Sequence, residues 1–153
     1  MHPNAQLLSR FYNALSARDG AAMGACYTDD ASFTDSVFRG LKGEEVRKMW
    51  RLIAGRVKDL QVEFNVIAAD DEKGRAQWVA TYSFADTGNK VVNRIESEFV
   101  FRDGKIASQV DSFDFYRWAR QALGFKGLLV GWLPATHNAV SKKAMERLKA
   151  YKG

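Results

Sequence analysis

The apolar positions of this chain change period twice along its length. Between Asn4 and Ala17, Leu7, Leu8, Phe11 and Leu15 recur at helical spacing with Tyr12 and Ala14 beside them, and Asn4 is placed to cap the start. Arg18-Asp19-Gly20 ends this helix, and Ala21 to Tyr27 reads as a short second one. Ala31 to Asp35 reads as a short strand, with either Phe33 and Asp35 or Ser32 and Thr34 on its inner face. Beyond a loop bracketed by Gly40 and Gly43, Val46, Met49, Trp50 and Ile53 form the stripe of a third helix starting near Glu44. Glu44 and Glu45 fall in its first turn, where the helix dipole favours acids.

From Leu60 the period drops to two. Segments 60–69, 75–85 and 91–102 alternate apolar and polar residues, separated by Asp70-Asp71-Glu72-Lys73-Gly74, Asp86-Thr87-Gly88-Asn89 and Asp103-Gly104. A last strand follows, with Gln109, Asp111 and Phe113 on one face and Ser108, Val110 and Ser112 on the other. Strands joined by tight turns predict an antiparallel meander. The faces carrying Trp78, Ala80, Tyr82 and Phe84, and Ile95, Phe99 and Phe101, are the apolar ones. Gln77, Thr81, Ser83, Arg94, Glu96 and Glu98 face solvent or a second subunit. A helix over 114–123 capped by Asp114, an apolar glycine-punctuated stretch over 124–134 and a helix from Ala135 or Thr136 to Tyr151 complete the chain. This order predicts one α+β domain over 1–153: a strongly curved antiparallel sheet against N-terminal helices, core 4–118, with a C-terminal helical extension over 119–153.

Composition narrows the possibilities modestly. The net charge of +5 gathers in the tail, where Lys142, Lys143, Arg147, Lys149 and Lys152 face only Glu146. That is the pattern of a solvated helix face, and no nucleic-acid-binding signature accompanies it. The single cysteine, Cys26, excludes an intrachain disulfide and suits a reducing, cytoplasmic setting. No signal peptide is legible at the start, and no apolar run approaches the roughly 18 residues of a membrane span. Two histidines make a His-rich metal site implausible, and His137 is expected at the surface. The run Gly127 to Leu133 is too apolar to be left in water; it either lids a pocket or packs on a second subunit.

Several stretches resemble the SnoaL-like branch of the nuclear-transport-factor-two-like, or ketosteroid isomerase-like, superfamily. They are Leu7-Leu8-Ser9-Arg10-Phe11-Tyr12-Asn13-Ala14-Leu15, Tyr27 to Asp35, Phe99-Val100-Phe101-Arg102-Asp103-Gly104-Lys105-Ile106 and Val110-Asp111-Ser112-Phe113-Asp114, in that order. The resemblance covers about residues 4 to 118 and implies a cone: a bent sheet wrapped round helices with a pocket inside. The superfamily includes isomerases, polyketide cyclases, epoxide hydrolases and non-catalytic binders, so it does not settle an activity. In the ketosteroid isomerase pattern the general base matches Asp35, but the two oxyanion residues fall at Phe11 and Ser97, which argues against steroid isomerisation. Tyr12, one helical step of about 100° from Phe11, is expected to point elsewhere. The cyclase acid/base aspartate matches Asp111. The nearest feature to the epoxide hydrolase Arg-x-Asp is Arg94-Ile95-Glu96, expected on the outer face.

The candidate site follows from these orientations. Asp35 and Asp111 are the expected acid/base pair. Asn93, Ser97, Gln109 and Tyr82 are the expected polar contacts, and Phe11, Trp50, Trp78, Phe99 and Phe113 the expected apolar ones. Desolvation and a second carboxylate both raise an aspartate pKa toward neutrality, which suits proton transfer. The expected function is a cofactor-free isomerase, cyclase or hydrolase acting on an apolar small molecule, with no metal, no nucleic acid and no membrane, dimeric through the outer sheet face. The alternative is a non-catalytic binder of an apolar molecule, with Asp35 and Asp111 as hydrogen-bonded structural acids.

Overall fold

Two helices, a strand and a third helix precede the long strands, as the changing period predicts. The computed structural model describes residues 1–153. Helix α1 spans Pro3–Ser16 and buries Leu7, Leu8, Phe11, Tyr12, Ala14 and Leu15. Its cap is His2, whose Nδ1 accepts from the Asn4 backbone N–H at 3.0 Å, with Pro3 pre-set for the first turn. Asn4 instead donates through Nδ2 to the Asp70 carbonyl at 3.0 Å, tying α1 to a distant turn.

Helix α2 is only Gly20–Gly24, because Tyr27 already belongs to strand β1, Tyr27–Thr34. The two-residue β2, Leu41–Lys42, pairs with β1 where a loop was expected, and α3 runs Glu44–Arg56. Strands β3 (Gln61–Ala69), β4 (Lys73–Ser83), β5 (Lys90–Arg102) and β6 (Lys105–Ser112) form the expected antiparallel meander.

The six-stranded sheet has the order β2-β1-β6-β5-β4-β3, curved and unclosed, and it is mixed. Strand β1 lies parallel to β6, pairing Phe33 with Gln109 and Thr34 with Val110. An antiparallel sheet throughout is what tight turns predict; a parallel pair is joined by a long crossover that leaves no local turn signal. Along β5 burial alternates strictly: Val91, Asn93, Ile95, Ser97, Phe99 and Phe101 face the helices. One core holds α1, α3 and this inner face.

The extension builds a second, smaller core. Helix α4, Phe115–Ala122, is capped by Asp114, whose Oδ1 accepts from the Arg117 N–H at 3.0 Å. Phe115, Trp118, Ala119 and Ala122 pack on Val91. Helix α5, Phe125–Val130, crosses α4 so closely that a Cβ on Gly127 would stand 1.9 Å from the Ala119 carbonyl oxygen. Helix α6, Pro134–Ala150, packs against α3. Ser141 Oγ donates to the Val37 carbonyl at 2.5 Å. His137, expected at the surface, is half-buried: its ring stacks on Phe115 at 4.0 Å and its Nε2 meets the Ser36 carbonyl.

Candidate functional site

A cavity of about 780 Å³ opens between α3, the inner sheet face and the extension. Asp35, Asn93, Tyr82, Trp50, Trp78, Asp111 and Phe113 all line it. Phe11, Phe99, Ser97 and Gln109 do not. These four are nearly fully buried and stand one layer behind the wall. They support the lining instead of meeting cavity contents. The reason is depth: on a strongly curved sheet, residues at the narrow end are covered by α1.

Asp111 is the end point of two hydrogen-bond chains. Ser97 lies opposite it across the β5–β6 ladder and donates from Oγ to Oδ1 at 2.6 Å. Gln109 donates from Nε2 to the same Oδ1 at 3.0 Å. The direction of each chain is set by a tryptophan, which can only donate. Trp78 Nε1 and the Tyr12 hydroxyl both donate to Ser97 Oγ, at 3.0 and 2.9 Å, so the Ser97 proton points at Asp111. Trp50 Nε1 donates to Tyr27 Oη at 2.8 Å, and the Tyr27 hydroxyl donates to Gln109 Oε1, which turns the Gln109 amide nitrogen toward Asp111. Both hydrogen bonds therefore land on Oδ1. No buried side-chain oxygen or nitrogen lacks a partner, so Oδ2, which has none, opens onto the cavity.

Burial is the main cause that lifts the Asp111 carboxyl from 3.8 to about 7; the bonds from Ser97 and Gln109 oppose the shift, and the charge of Asp35 adds to it. Asp35 follows the last residue of β1, level with Asp111 when the Phe33–Gln109 and Thr34–Val110 register is continued. Its Oδ1 accepts from the Val37 and Phe38 N–H groups at 2.7 and 2.6 Å, leaving Oδ2 toward the cavity. Desolvation raises its carboxyl to about 6, against the opposing backbone bonds from Phe38 and Val37 and the proximity of His137. Asp35 thus does cap a turn, and it also lines the cavity.

Two further polar groups face the same space. The Asn93 amide has no protein partner although the residue is only 8% exposed. Tyr82 Oη accepts from Trp118 Nε1 at 2.8 Å, so its own proton is free. No group of three or more His, Cys, Asp or Glu side chains is placed to hold a metal ion. Arg94 and Glu96 are exposed on the outer sheet face, away from this cavity.

Residues 8–109 match the family described as the SnoaL-like domain. The chain belongs to that family. Its match ends just short of Asp111 and leaves the extension outside. Among solved structures, a candidate polyketide cyclase from Silicibacter sp. shares 17% identity at a TM-score of 0.69, covering 78% of this chain and 94% of its own. An epoxide hydrolase of the LEH-like type from M. tuberculosis shares 23% identity at a TM-score of 0.62, covering 87% and 94%. AclR from Streptomyces galilaeus, a candidate hydroxylase, shares 17% at 0.64 and covers 96% of this chain and 94% of its own. No curated protein matches the sequence. These likenesses establish the nuclear-transport-factor-two-like cone fold of this SnoaL-like chain.

Sequence reasoning missed Tyr12, Tyr27, Trp118 and His137. Tyr12 does not point away; α1 is embraced by the curved sheet, so a step of about 100° from Phe11 still lands in the core. Tyr27, read as the end of the second helix, instead opens β1, and the register shift between Tyr27 and Ser32 breaks the alternation that would have marked it as inward. The extension residues carried no local signal, because they reach the site only through tertiary packing. Within the extension, Trp118, Leu123, Lys126 and α6 border the cavity; Phe125, Leu128, Leu129 and Trp132 stay exposed.

Proposed function

We propose that this protein is a cofactor-free acid–base catalyst acting on an apolar carbonyl compound held in the cavity. One observation carries the reading: two carboxylates, each with one oxygen fixed by protein donors, turn the other oxygen into the same apolar space. Their carboxyl groups sit at about 6 and about 7, so near neutral pH Asp35 is mostly ionised while Asp111 is protonated about half of the time. Oδ1 of Asp111 already accepts two bonds, which places its proton on Oδ2, toward the ligand. Asp35 then takes a proton from a carbon beside the carbonyl, and Asp111 gives a hydrogen bond or its proton to the carbonyl oxygen as charge gathers there. Return of a proton to another carbon and recovery of the Asp111 proton complete an isomerisation with nothing consumed. The same pair, with a bound water as nucleophile, would serve hydrolysis.

Asn93 lies four residues along β5 from Ser97, roughly 13 Å of strand, so its amide would hold a polar group at the far end of a ligand of two or three rings. Trp50, Trp78, Tyr82 and Phe113 supply flat apolar walls. A binding protein without turnover is the second reading, favoured by Phe11 standing where the isomerase pattern has an oxyanion tyrosine.

The test is proton exchange. Aryl and cyclic ketones are incubated with the protein in D₂O and followed by proton NMR. Wild-type protein should speed loss of the signal beside the carbonyl at least about 100-fold, the lower range for a positioned base. Asp35→Asn should abolish this while ligand-induced tryptophan quenching persists. Binding without exchange by the wild type would establish the second reading.

A further inference from the structure

The cavity is electrically asymmetric from floor to mouth. The sheltered part of its lining, the floor, carries the buried Asp111 and the half-buried Asp35. Its lining ends in exposed Arg56, Lys126, Lys143 and Arg147, with one exposed carboxylate, Asp86, among them. Lys143 Nζ and an Arg147 guanidinium nitrogen stand 3.1 and 2.8 Å from Asp86, so this pair of cations shares a single acid. Arg56 rests over the Tyr151 ring at 5.5 Å, and neither it nor Lys126 has a carboxylate partner.

We infer that the ligand of this site is an apolar molecule carrying an anionic group, seated with the anion at the mouth between Arg56, Lys126, Lys143 and Arg147. This rests on the reading of the cavity as a ligand site. Four cations against one acid leave a positive rim, and the floor carboxylate, Asp35 when ionised, repels a second negative charge. Only one orientation satisfies both ends. The positive rim comes largely from the extension. Residues 119–153 carry seven Lys and Arg against Glu146, a net +6, which leaves −1 for residues 1–118 out of the chain's +5. The basic tail is therefore more than a solvated face: part of it frames the entrance. Asp86 holds two of the cations at a fixed place instead of letting them range through solvent, which lowers the entropy cost of binding an anion there.

The test uses paired probes of equal length, 6-phenylhexanoate and 6-phenylhexan-1-ol, titrated calorimetrically into the full chain at pH 7.5. The carboxylate should bind at least about tenfold tighter, with the preference shrinking as salt rises toward 1 M, where screening acts within about 3 Å. In Arg56→Glu/Lys126→Glu, exposed positions without carboxylate partners, the preference should fall to about one while the alcohol binds as before. Lys126→Glu alone, checked by its melting temperature, should fall between. Equal affinity of the two probes for the wild-type protein overturns the anionic assignment and leaves the cavity as an apolar site. Failure of both probes and of the ketones above to bind overturns the ligand site itself.

Discussion

Replacing Asp111 by Asn should make this protein more stable at alkaline pH. In the folded chain the Asp111 carboxyl sits at about 7, against an ordinary 3.8, chiefly because it is desolvated. Between those two values the folded state holds a proton that the unfolded state has released, so stability from this group is present in acid and is lost as pH rises to about 7. That displacement corresponds to at most about 4 kcal/mol. One oxygen meets the cavity, where water relieves part of the desolvation, so about 2 kcal/mol is the working figure. Asn keeps an oxygen to accept from Ser97 and Gln109 and never ionises. Urea denaturation followed by tryptophan fluorescence at pH 4.5, 6 and 8 reads the difference between the two proteins. Subtraction removes the acid-side losses from Asp30, Asp59, Asp70 and Asp86, whose carboxyls are all held below the ordinary value. Part of the loss has already developed at pH 4.5, above the ordinary 3.8, so the variant's advantage should grow by about 1 to 1.5 kcal/mol between pH 4.5 and pH 8, or about 2–6 °C in melting temperature. A difference that does not change with pH, or a variant weaker at pH 8, would refute the buried, desolvated acid.

Ser97→Ala should raise the Asp111 carboxyl further, read by carbon-13 NMR titration, and cost about 2–3 kcal/mol, because Tyr12 and Trp78 lose their shared acceptor. Gly127→Ala should detach α5 from α4, since no side chain fits against the Ala119 carbonyl; amide exchange should rise over residues 115–131 while β4 and β5 stay protected. Asp86→Asn should loosen α6, giving faster exchange over 134–150 at a global cost of about 1 kcal/mol, the scale of exposed ion pairs. A homodimer through the outer sheet face would cover Val92, Val100 and Val110, which are partly exposed there; sedimentation should then show a dimer for the wild type and a monomer for Val110→Glu.

Alternation and turn signals were enough to read β3 to β6 to within a few residues, because a half-buried strand must repeat every two positions whatever surrounds it. The same rule put Asp111 inward with Gln109, since both share the parity of Phe113. Helical stripes likewise exposed α1 and α3. Local pattern could not show that β1 runs parallel beside β6, because that pairing joins residues 76 or more positions apart. Nor could it separate Asn93, whose amide meets the cavity, from Ser97, whose hydroxyl is spent on Asp111, since both sit on one face of β5. The chain's own residues thus determine which side chains turn inward. Curvature of the sheet and the docking of α6 decide which of them reach open space, because depth and enclosure are properties of how elements pack and not of any one element's period.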